Sequence, residues 1–149
     1  MSMSPPIQRK FVSGAGVNER GLNISVVFTS LDSTLAALKE AARFANSPGD
    51  GITLLVPEVV RFPLQLDTPP VPVEFSEERF RRIASQIPVE TNVQIYLCRD
   101  KLQTLLSVLK PRSLVVLCGR TCRWWPTRDE ILVRELRRAG HEVIFREME

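Results

Sequence analysis

From residue 23 onward the chain alternates between two hydrophobic rhythms. Short apolar runs rich in β-branched residues suit buried strands, and each is followed by a segment whose apolar positions recur every three or four residues. Residues 24–29 form the first run. Asp32 and Ser33 then offer N-cap oxygens, and Leu35, Leu38, Ala41, Ala42 and Ala45 follow at helical spacing until Asn46-Ser47-Pro48-Gly49 stops the helix. Residues 52–56 are the second strand, and a linker with prolines at 57, 63, 69, 70 and 72 comes next, suited to extended backbone. Ser76 opens a charged helix with Phe80, Ile83, Ala84 and Ile87 on its inner side. Residues 92–97 alternate as a third strand. Asp100 caps a helix carrying Leu102, Leu105, Leu106 and Leu109, which Pro111 ends. Residues 113–118 are the most apolar strand, and so a central one. Thr127 or Asp129 opens the last helix, with Ile131, Leu132 and Leu136 inward and Gly140 closing it before a final strand over 142–146.

Five strands alternating with four helices predict an α/β fold: a doubly wound five-stranded parallel sheet with helices on both faces. A Rossmann-like strand order 3-2-1-4-5 opens a crevice at the carboxyl ends of strands 1 and 4, between residues 29–33 and 119–127. Residues 1–22 are rich in Ser, Pro and Gly without periodicity and read as a flexible N-terminal tail, leaving 23–149 as the folded domain.

Composition narrows the possibilities without selecting one. The 149 residues are 44% hydrophobic and 25% charged, which describes one globular domain and not a disordered chain. The net charge of +3 is too small to imply nucleic-acid binding, and no apolar run approaches a membrane span. No secretory signal is evident, so a cytoplasmic location is expected. Three cysteines without zinc-ligand spacing and a lone His141, read as an exposed turn residue, offer no metal site and no triad.

The segments "ISVVFTSLDSTLAALKEAARFA", "RDKLQTLLSVLKPRSLVVLCGR" and "VRELRRAGHEVIF" resemble the universal stress protein family over residues 24–147. The resemblance implies the five-stranded fold above, dimerisation through the last strand and, in one subset of the family, ATP binding. That subset carries an Asp at the end of the first strand, and after the fourth a Gly-x-x-Gly, then nine residues, then Gly-Ser or Gly-Thr. In this chain Thr29 stands at the Asp position, with Asp32 nearer the helix cap. Gly119 matches the first Gly, Cys122 replaces the second, and Asp129 with Glu130 occupies the Gly-Ser/Thr place in a loop about three residues short. Two carboxylates where a triphosphate would sit repel it. The expectation is a degenerate crevice, no cofactor and no ATP bound in the family mode. The alternative is an altered site for a nucleotide or anion made by Thr29, Ser30, Asp32, Gly119, Arg120 and Thr121.

The loop after strand 4, residues 118–129, is the most unusual segment of the chain. Cys122 and Arg128 have the Cys-x5-Arg spacing of cysteine phosphatases, but Trp124, Trp125 and Pro126 fill the stretch where small residues should present free amides. Cys118 and Cys122 are separated by three residues, where a thioredoxin-type pair has two. No acidic cluster of the receiver type follows strand 1. The protein is therefore expected not to be an enzyme. Arg123, Trp124, Trp125 and Arg128 make a candidate protein-interaction surface, and Arg99 and Lys101 could extend it into a basic rim. Val143, Ile144 and Phe145 form an apolar edge strand, expected to pair with a second copy as a homodimer.

Overall fold

The computed structural model describes residues 11–13, 22–45, 47, 49–60 and 73–148. Strands β1 (Phe11–Ser13), β2 (Asn23–Val27), β3 (Gly51–Val59), β4 (Thr91–Cys98), β5 (Leu114–Gly119) and β6 (Glu142–Glu147) form a single sheet in the order β1-β4-β3-β2-β5-β6. Helices α1 (Leu31–Phe44), α2 (Val73–Ser85), α3 (Lys101–Val108) and α4 (Arg128–Arg138) complete it. The five strands β2 to β6 are mutually parallel, and in chain order they read 3-2-1-4-5 across the sheet, as the sequence predicts.

Alternation along each strand sends side chains to two separate cores. Ile24, Val26, Leu54, Val56, Val93, Ile95 and Val116 meet Ala37, Leu38 and Ala41 of α1 and Phe80 and Ala84 of α2 on one face. Val27, Leu55, Val115 and Leu117 meet Leu105 of α3 and Leu132 and Leu136 of α4 on the other. Both faces are covered, which is why the strands read as near-continuous apolar runs.

Several boundaries differ from the sequence reading. Phe11–Ser13, placed in the tail, instead pairs antiparallel with β4, Val12 opposite Gln94; the rest of residues 1–21 lies outside the described residues. Pro57, assigned to the linker, lies inside β3, which runs to Val59 beside β4; residues 61–72 are outside the described residues. Ser30, not Asp32 or Ser33, caps α1: its hydroxyl accepts the Ser33 N–H at 3.3 Å, and Asp32 sits exposed in the first turn. α2 begins at Val73, ahead of Ser76. His141 is buried, and its Nδ1 accepts the Ser113 N–H at 3.2 Å, tying the start of β6 to the start of β5. A solvent-facing histidine was expected there because sequence spacing alone does not show that the strand entry beside it leaves an amide to satisfy.

Candidate functional site

The strand order reverses between β2 and β5, and the crevice at their carboxyl ends is bounded by the turn before α1 and the loop before α4. Thr29 is half-buried on the first wall. Its hydroxyl donates to the Cys118 carbonyl across the crevice at 3.4 Å, and its N–H donates to the Thr34 hydroxyl at 3.2 Å. Thr29 therefore clips β5 to the head of α1, and Ser30 is engaged as the helix cap. Asp32, two residues further on, is exposed and does not join them.

On the second wall Gly119 ends β5, and its carbonyl accepts the Met148 N–H at 2.7 Å. The chain then projects outward through Arg120 and Thr121, both exposed, before α4 starts. Thr127 caps α4 by accepting the Glu130 N–H at 3.2 Å, and its hydroxyl also donates to the Arg120 carbonyl at 2.8 Å, closing the loop on itself. Asp129 lies directly over Gly119. A Cβ on that glycine would come within 2.4 Å of Asp129 Oδ2 and 2.8 Å of its Cβ. Glu130 Oε1 accepts the Cys122 N–H at 3.0 Å, and the Thr121 hydroxyl donates to Glu147.

The positive end of α4 faces the crevice, where helix N-termini in this type of fold receive anions. Here the first turn of that helix supplies its own carboxylates, Asp129 and Glu130, and one of them takes a loop amide. The residues that the sequence aligned with a phosphate cradle are thus engaged internally.

Lys101 is the residue whose position sequence reasoning missed. It appeared only as one charge of a basic rim, but it opens α3 and reaches across the sheet end, donating from Nζ to the Phe28 carbonyl at 3.2 Å. Burial pushes its pKa down, opposed by the Asp129 carboxylate. A half-buried cation that feels the Asp129 carboxylate is a crevice feature that no local spacing reveals. Arg99 turns the other way and donates to the Val60 carbonyl at 2.6 Å. The expected continuous rim is divided between these two destinations.

The three thiols have different surroundings. Burial raises the pKa of Cys98 and Cys118, and the Glu40 carboxylate adds to the effect at Cys118. Cys122 is exposed, and the backbone amides of Trp124 and Trp125 hold its pKa below the usual thiol value. Trp124 and Trp125 are 79% and 76% exposed, far more than two large aromatic side chains ordinarily are. The Arg123 guanidinium lies 5.8 Å from the Trp124 ring centre, and Arg128 is exposed at the start of α4. At the β6 edge Val143 is buried towards α4, while Ile144 and Phe145 are half-buried on opposite faces. A groove of about 430 Å³, lined in part by Thr121, Arg134 and Phe145, lies between α4 and this strand. Among the described residues no group of three or more His, Cys, Asp or Glu side chains is placed to hold a metal ion. No described helix is long and apolar enough to cross a membrane.

Among known structures, the universal stress protein from Archaeoglobus fulgidus matches 83% of this chain and 92% of its own, with a TM-score of 0.58 and 14% sequence identity. The two chains share one fold. No protein-family model and no curated protein sequence matches this chain. The universal stress protein likeness is thus one of architecture, carried by the β2–β6 parallel sheet and its four helices.

Proposed function

We propose that this chain is a non-enzymatic regulatory or stress-associated module of the universal stress protein type, cytoplasmic and acting through protein contacts as a homodimer. Its nucleotide crevice is degenerate. The observation that carries this reading is the Asp129 carboxylate seated over Gly119, with Glu130 on the Cys122 amide. A triphosphate entering there would displace both carboxylates and meet their charge at short range. The exposed Trp124–Trp125 pair, flanked by Arg123 and Arg128, supports recognition of an acidic, partly apolar protein surface. The β6 edge, paired on one side by β5, supports association with a second copy.

Calorimetric titration with magnesium ATP tests the crevice, and no saturable heat at low millimolar nucleotide is the expected result. Saturable heat would replace this reading with the competing one, in which Thr29, Ser30, Asp32, Gly119, Arg120 and Thr121 rearrange around a nucleotide. Sedimentation is expected to return twice the 16.9 kDa of one chain; a monomer at every concentration would remove the pairing.

A further inference from the structure

A second concavity, of about 530 Å³, opens at the opposite end of the sheet from the crevice, on the α3 and α4 face. Its origin is the shortness of α3. Eight residues span about 12 Å, whereas β3 and β4 beneath it run for nine and eight residues at more than twice the rise. Pro111 prevents continuation, and the chain turns through Arg112 at φ +56°. On this face the amino-terminal ends of β2, β3 and β4 are therefore left without a helix over them, while α4 covers those of β5 and β6.

The sequence of that half is polar where a doubly covered sheet should be apolar. Ser25, Thr53 and Asn92 stand in register across β2, β3 and β4, and are 7%, 5% and 6% exposed. Asn23 and Gln94 flank the row. Thr53 donates to Asn23 Oδ1 at 3.1 Å, and the Tyr96 hydroxyl donates to Gln94 Oε1 at 2.6 Å. Among the described residues the buried Asn92 Oδ1 has no partner. Burying such groups is costly unless something hydrogen-bonds to them, and all of them except Asn92 line the cavity.

The lining is graded. Asn23, Ser25, Thr53, Gln94 and Tyr96 bring neutral hydroxyls and amides to the floor, while Leu55, Val108 and Leu109 supply apolar wall. Exposed Lys110 and Arg112 contribute two positive charges to the lining and Glu142 one negative. Neutral donors and acceptors complement hydroxyls, the apolar wall suits the C–H face of a sugar ring, and the cations suit a phosphate. We propose that this cavity binds a phosphorylated sugar, at a site separate from the crevice between β2 and β5.

The chain contains one tyrosine, and it lines this cavity, so a sample carrying labelled tyrosine reports the site through a single set of ring resonances. Titration with ribose 5-phosphate is expected to shift the Tyr96 resonances saturably, with ribose binding about tenfold more weakly for loss of the charged contact. Lys110→Gln with Arg112→Gln, both at exposed positions, is expected to reduce ribose 5-phosphate to the affinity of ribose. Thr53→Val is expected to abolish both shifts, and its unperturbed Tyr96 spectrum without ligand would certify the fold. Resonances unmoved by either compound would overturn the proposal. So would inorganic phosphate moving them as far as the sugar phosphate does, because the hydroxyl-lined floor would then have no part in binding.

Discussion

Gly119 shows how much one missing methyl group decides. It is the residue the family resemblance matched most directly, although the expectation was a degenerate crevice and a phosphate-binding role for Gly119 belonged only to the alternative. In the fold its bare Cα admits the side chain of Asp129 instead. Gly119→Ala is therefore expected to destabilise the protein by about 1–3 kcal/mol, as overpacking does, measured by urea unfolding. The same substitution in an Asp129→Gly background should cost less, because every atom in the collision has then been removed; an unchanged cost would separate the two residues. The sequence revealed the acidic pair at this place because charge is a property of residue type. It did not reveal Lys101, whose importance lies in a contact from the head of α3 to the end of β2, 73 positions away in the chain.

At the scale of elements, periodicity located the five parallel strands and the four helices among the described residues, and the differences cluster where a neighbour decides the outcome. Pro57 continues β3 because β4 runs alongside it to Cys98, and one residue without an N–H is tolerated there. Phe11–Ser13 has no rhythm of its own, and only the exposed edge of β4 makes it a strand. α4 illustrates the opposite case, an element whose start was legible from its cap. Thr127→Ala removes both the bond to Glu130 and the one to Arg120, and should cost about 1 kcal/mol or somewhat more by thermal or urea melting. Thr127→Ser should retain most of that stability. If alanine and wild type melted together, the cap would not be what holds the loop closed.

Across the whole molecule, Lys101 places a pH-dependent element at the end of the sheet. Its folded pKa is lowered by burial, so between that value and the ordinary lysine value the unfolded chain holds a proton that the folded chain has released. Stability from this group accordingly rises with pH through that alkaline window, and below it the buried charge is a standing cost. Tyr96, Cys98 and Cys118 have pKa values raised by burial and act in the reverse direction at high pH. Lys101→Met leaves those groups in place, so the wild-type minus variant difference in unfolding free energy should rise from neutral towards alkaline pH. A flat difference would show that the amine titrates as though exposed. The two ends of the sheet have a further consequence. At one side the outermost strand is β1, three residues long; at the other it is β6, twice that length. A three-residue rim is a poor template for further pairing, whereas six residues suffice for one. Among the described residues the sheet thus has one long free edge: under the proposed pairing, a second copy joined at β6 would turn its own short rim outward, and growth would stop at a pair.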